Sequence, residues 1–214
     1  MENNPIPSPP HGPQGRPALL KRALRLEGVT IAYNVLEGVI ALVAGWMAGS
    51  IALVGFGFDS SIETLSAVVV FLRLYEESRG HDADAHVMTE KRTEQFVAGT
   101  LFALCVYILY QSTATLIEGN APEESAVGII LAAVSLVLMP LVAAAKRRTG
   151  AALGSRALMA DATETLICAY LSFTLLLGLG LNALFGWWWA DPAAALVMIP
   201  FIFHEAREAW RGED

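Results

Sequence analysis

The chain has 214 residues, 55% of them hydrophobic and 16% charged, with a mean hydropathy of +0.50 and a net charge of −7. That is too apolar for a soluble domain of this length, in which about a quarter of residues carry charge. No basic stripe with interleaved aromatics is present, so nucleic acid is excluded as a partner. The apolar residues instead fall in blocks of about 20, the length an α-helix needs to cross a lipid bilayer.

Residues 1–26 open with MENNPIPSPPHGPQGRP, rich in Pro and Gly and without an early apolar run. This reads as a disordered cytoplasmic tail rather than a signal peptide. Residues 27–211 then hold six apolar segments, at about 28–48, 51–72, 95–117, 125–145, 157–180 and 187–206. Each must be helical, because lipid offers the backbone no hydrogen-bonding partner. The fold class is therefore all-α: a polytopic membrane protein, built as a bundle of six transmembrane helices. The short AGS link at 48–50 makes the first two spans an antiparallel hairpin.

Lys and Arg set the expected orientation. All 14 basic residues fall before span one, between spans two and three, between four and five, or after six, while AGS, EGNAPEES and NALFGWWW carry none. The expectation is a multi-pass protein of the inner cell membrane with both termini cytoplasmic, and Trp187 to Trp189 as an anchor at the outer interface.

Five acids lie well inside the spans: Glu37 in the first, Asp59 and Glu63 in the second, Asp161 and Glu164 in the fifth. An ionised acid at mid-helix costs about 2.5–3.5 kcal/mol on insertion scales, so intramembrane acids are functional candidates. Asp59 and Glu63 stand at i and i+4, on one helix face. Asp161, Glu164 and Cys168 stand at i, i+3 and i+7, again on one face. Spans two and five can thus each offer a pair of ligands, Asp59 with Glu63 and Glu164 with Cys168, to a shared point. Carboxylate with thiolate favours zinc, cadmium or iron(II) over magnesium or calcium.

These motifs resemble the cation diffusion facilitators, six-span exporters of divalent metals in exchange for protons. The stretch GSIALVGFGFDSSIE matches the turn and acid pair of that family's second span. ADATETLIC keeps the lead of its ADxxHxxxD motif, and ADPAAALVMIPFIFHEA, with Asp191, follows its DPxAAL pattern. The likeness covers about residues 27–211. It implies a transported divalent cation and no resident cofactor, with Zn2+ first and Cd2+, Fe2+ or Mn2+ as alternatives. It also implies protons as the counter-substrate and the lipid bilayer as the setting. The departures are Glu164 in place of the family's His and Cys168 in place of its second Asp. Only a few residues follow span six, so a variant without the family's cytoplasmic C-terminal domain is expected, with any homodimer formed through the spans.

Each of these residues has a plainer reading. The acid pair could be protonated and hydrogen-bonded across helices, and Cys168 could simply pack. Glu37 is either a proton carrier, an entry residue or a partner for a nearby hydroxyl; Asp161 reads as a helix-orienting acid or one on a proton or entry path, rather than a metal ligand. The HDADAH loop, with His81, Asp82, Asp84 and His86, reads as a solvated connection before a second metal site. His204 and Cys105 read as structural. The chain is not expected to be an enzyme: GFGFD lacks the remaining context of an intramembrane aspartyl protease. A membrane scaffold or regulatory subunit, its acids paired to a basic partner helix, is the alternative to transport.

Overall fold

The computed structural model describes residues 15–79, 87–119 and 123–211. Six helices run in chain order: α1 Arg16–Ala48, α2 Ile51–Ser78, α3 Val87–Glu118, α4 Ala126–Leu153, α5 Arg156–Phe185 and α6 Ala190–Arg211. No strand occurs among the described residues. α1, α2, α4, α5 and the Leu101–Glu118 part of α3 are each long and apolar enough to cross a membrane. The apolar part of α6 is shorter, Ala190–His204, so the sixth expected span starts later than residue 187: Trp187 to Trp189 sit in the turn before it.

Two further boundaries differ from the sequence reading. Residues 16–26, expected in the tail, are the first turns of α1. Pro17 suits a helix start because its fixed φ fits and its missing N–H would be unpaired there anyway. Leu20 and Ala23 then pack with Val70, Leu74, Leu153 and Leu158, and Arg16 donates to Glu77 Oε1. The second difference is at α4, which continues to Leu153 and so takes Lys146 out of the basic connection and into a helix. The HDADAH residues His81, Asp82, Asp84 and His86 lie outside the described residues.

Two hairpins share one turn chemistry. α1 ends at Gly49 in the left-handed conformation (φ 67°), and Ser50 caps α2 by accepting from Leu53 N. α4 ends at Gly154 (φ 70°), and Ser155 caps α5 by accepting from Leu158 N. Only glycine adopts that backbone without strain, and the following Ser satisfies one of the next helix's free N–H groups. The sequences GSIAL and GSRAL are thus one device used twice. Arg16 at the start of α1 touches Glu77 near the end of α2 and the Leu153 carbonyl at the end of α4. The α1–α2 turn therefore lies at one end of the bundle and the α4–α5 turn at the other, so the hairpins run in opposite senses.

α1 packs along α2 and α4 along α5, while α1 also meets α4 and α2 meets α5. These four helices enclose the centre. α3 and α6 pair with each other, and α6 leans on α2 and α5. At the end carrying the α1–α2 turn, buried Asp191 of α6 fixes the start of α2. It accepts from the Ser50 hydroxyl and from Ile51 N at 2.9 Å. A carboxylate there meets two donors and the positive end of the helix dipole.

The helices are apolar outside and polar inside. Trp46, Met47, Leu36, Val39, Val43, Val137 and Leu141 face outward. Glu27, Thr30, Asn34 and Glu37, at i, i+3, i+7 and i+10 of α1, are all buried. That inversion of the soluble pattern is what a bilayer demands.

Close approach of α1 and α2 depends on glycine. A Cβ at Gly57 would lie 2.9 Å from Leu42 N and 2.8 Å from Leu42 Cγ, whereas one at Gly180 would meet nothing within 4 Å. Gly57→Ala is therefore expected to destabilise the detergent-solubilised protein by about 1–3 kcal/mol, the usual cost of overpacking. Gly180→Ala is expected to be neutral or stabilising. Thermal unfolding of the two variants side by side checks this.

Candidate functional site

Three buried polar groups stack inside the four central helices. The first is built on Glu37. Its Oε2 accepts from Ser60 Oγ of α2 at 3.1 Å, and its Oε1 accepts from Ser135 Oγ of α4 and from Tyr33 Oη at 3.2 Å. Tyr33 and Ser135 are themselves 2.7 Å apart. Of the roles weighed for Glu37, pairing with hydroxyls is the one the geometry displays, and one acid ties α1 to both α2 and α4.

The second group joins α2 to α5. Asp59 and Glu63 are both buried, as is Cys168. Asp59 lies in the electrostatic field of Glu63, Glu37 and Glu164, with Cys168 beside it. Cys168 in turn feels Glu63, Glu37 and Asp59. Thr165 and Cys168 also lie near Glu63 without reaching hydrogen-bond geometry, and both Glu63 oxygens are without a hydrogen-bond partner. Such orphaned oxygens are uncommon, because an unpaired buried polar atom loses its hydration without replacement.

Of the four residues expected to share a point, Asp59, Glu63 and Cys168 are thus close neighbours deep in the bundle. Glu164 is only partly buried and reaches them as a neighbouring charge on Asp59. The set is not a closed cage: among the described residues, no three His, Cys, Asp or Glu side chains are gathered tightly enough to hold a metal ion.

The third group contains the residues that sequence reasoning missed. Lys146 of α4 is 0% exposed, and its ammonium donates to Asp161 Oδ2 of α5 and lies 3.3 Å from Glu27 Oε2 of α1. Glu27 is 0% and Asp161 1% exposed. Asp161, expected on an entry path, is therefore one arm of a buried ion triad. Both missed residues left a periodic signal. Glu27 is seven residues before Asn34 on the buried face of α1, and Lys146 follows Ser135, Met139 and Ala143 on the buried face of α4.

The triad sets a clear expectation. Removing one partner of a buried ion pair strands a charge, at about 3–5 kcal/mol. Lys146→Gln is expected to lose about that much stability. Adding Asp161→Asn to the same chain is expected to restore part of it. Unfolding midpoints of the single and double variants in detergent measure the difference.

Residues 29–211 match the family described as the cation efflux transmembrane domain. Similar proteins include the cation-efflux pump FieF of Shewanella oneidensis, 25% identical over 175 residues, or 78% of this chain and 57% of that one. An uncharacterized transporter of Synechocystis sp. is 28% identical over 69% of this chain and 49% of its own. Transmembrane protein 163 of Xenopus laevis is 27% identical over 73% of this chain and 54% of its own. The chain spans about half the length of these curated relatives.

Proposed function

Because the chain belongs to the family of cation efflux transmembrane domains, a family of transporters rather than enzymes, we propose that it exports a divalent transition-metal cation, zinc first among them, in exchange for protons. The observation that carries this reading is the meeting of α2 and α5 at Asp59, Glu63 and Cys168, with two carboxylate oxygens of Glu63 left without partners. The name of the Shewanella relative speaks of cation efflux, which supports the direction.

The chemistry follows from competition. A bare site of acids and a thiol holds protons, and a metal ion binds only to the deprotonated ligands, so its arrival expels them. Opened toward the cytoplasm, the site exchanges protons for metal; opened outward, it exchanges metal for protons. Glu164 would complete the ligand set by turning from its partly buried position toward Asp59. Oxygen and sulfur donors together suit zinc, cadmium or iron(II); manganese is the weaker candidate because it prefers oxygen alone.

Opposed hairpins are the kind of repeat from which alternating access is built. In this reading the α1–α2 and α4–α5 pairs rock about the site. The protein is multi-pass in the inner membrane. The end bearing Arg16, with both chain termini, lies on the cytoplasmic side by the distribution of basic residues. A homodimer would form through the apolar outer faces. The scaffold reading loses ground because Asp161 and Glu27 are already paired with this chain's own Lys146.

Vesicles loaded with a pH dye test the proposal. Zinc uptake is expected to move protons in the opposite direction at a fixed ratio, and zinc transport without proton movement would refute antiport. Asp59→Ala is expected to drop zinc flux to the level of empty vesicles while the protein still inserts; retained flux would take Asp59 out of the site. Cys168→Ser is expected to weaken zinc and cadmium binding more than manganese binding, measured by metal-dependent shifts in melting temperature.

A further inference from the structure

Transport by Asp59, Glu63, Glu164 and Cys168 leaves Lys146 without a task. A lysine wholly buried in a membrane-crossing helix is costly, and such residues are rarely kept for packing. Its surroundings are asymmetric. Two acids, Asp161 and Glu27, hold the one ammonium, and Asp161 Oδ1 and Glu27 Oε1 have no hydrogen-bond partner. The ammonium also lies 3.4 Å from Thr165 Oγ1. Thr165 is four residues after Asp161 and three before Cys168, so it stands on α5 between the triad and the proposed metal site. Thr165 also neighbours Glu63, which is buried, with its two oxygens unpartnered and lying in the field of Lys146.

We propose that Lys146 is a tethered cation that exchanges places with the transported ion. The structure shows its withdrawn position, on Asp161 and Glu27. The second position is Glu63, reached across the Thr165 hydroxyl by rotation of the flexible lysine stem, which carries three donors on a compact charge. With Lys146 on Glu63, the empty site is neutralised without a metal. With metal on Glu63 and Asp59, the ammonium returns to the two acids that wait for it. Asp161 and Glu27 are then the parking place for a built-in counter-ion, which explains why two carboxylates serve one lysine.

A tethered competitor weakens metal binding and speeds release. Lys146 is thus a positioning residue that sets affinity and turnover in opposite senses. This inference rests on the metal-site reading above, and its test separates the two.

The first measurement uses the full chain in liposomes, with zinc as the probe and with Lys146→Gln/Asp161→Asn as the variant. Zinc should bind at least about tenfold tighter than to wild type, the factor expected when a competitor leaves a tenth of the sites free. Turnover should fall by a similar factor, so that KM and kcat drop together. A folded variant with unchanged or weaker zinc affinity overturns the proposal. The second measurement does not depend on that variant folding. The chain has three lysines, and Lys21→Arg/Lys91→Arg leaves Lys146 alone. With 15N on the lysine side chain, zinc is expected to shift the single ammonium resonance until one equivalent is bound. Zinc that binds without moving the resonance overturns the exchange. A failure of zinc to bind at all overturns the metal-site reading instead.

Discussion

A charge that has left water must find another charge, a set of dipoles or a bound ion, and in lipid the choice is stark. Seven acids lie within the described helices at buried or partly buried central positions: Glu27, Glu37, Asp59, Glu63, Asp161, Glu164 and Asp191. The fold answers four of them in three ways. Asp191 is met by backbone N–H groups and a serine at the start of α2, Glu37 by three hydroxyls, and Asp161 and Glu27 by one lysine. Glu63 differs: neither of its oxygens has a hydrogen-bond partner, and, unlike Glu27, it makes no ion pair among the described residues. Compensated charges thus surround the Asp59 group, in which Glu63 is left open.

That pattern also explains the helix arrangement. The polar groups sit where α1, α2, α4 and α5 meet, and each ties helices from different hairpins. Glu37 joins α1 to α2 and α4, the triad joins α1, α4 and α5, and the Asp59 group joins α2 to α5. Small residues let the backbones come close enough for this. Gly45 and Gly57 bring α1 against α2, and Gly128 lets α4 approach Leu53 and Leu179. α3 and α6 serve as an outer pair, and α6 also supplies the carboxylate that fixes α2 at one end. Motion of one hairpin against the other would change all three polar groups together, which is the coupling an exchanger requires.

Much of this was legible in the chain. Blocks of apolar residues gave the helices, because lipid permits few other structures, and i, i+4 spacing placed Asp59 and Glu63 on one face. The AGS link read as a tight hairpin, and its echo in LGS shows the same αL glycine and capping serine at the second one. What escaped was the triad. Lys146 stands beside Arg147 and Arg148, so hydropathy assigned it to a basic connection, yet its helix runs seven residues further and turns that one lysine inward. Glu27 falls one residue before the first apolar run, so it counts among the domain's edge residues and not among the acids inside the spans. Both are groups that a tertiary partner neutralises, and a partner on another helix leaves no mark in a window of sequence. Asp161 is legible as an intramembrane acid, but its counter-ion, Lys146, is not.

The central claim is that α2 and α5 close on a single cation, with oxygen from one helix and sulfur from the other. X-ray absorption at the zinc edge on the full chain, loaded with one equivalent, tests it most directly. The account predicts a four-ligand shell with one sulfur at about 2.3 Å and oxygen at about 2.0–2.2 Å. The sulfur should vanish in Cys168→Ser, and an oxygen should be lost or lengthened in Asp59→Asn. A zinc shell without sulfur, or one that neither substitution alters, would mean that the two helices do not share an ion.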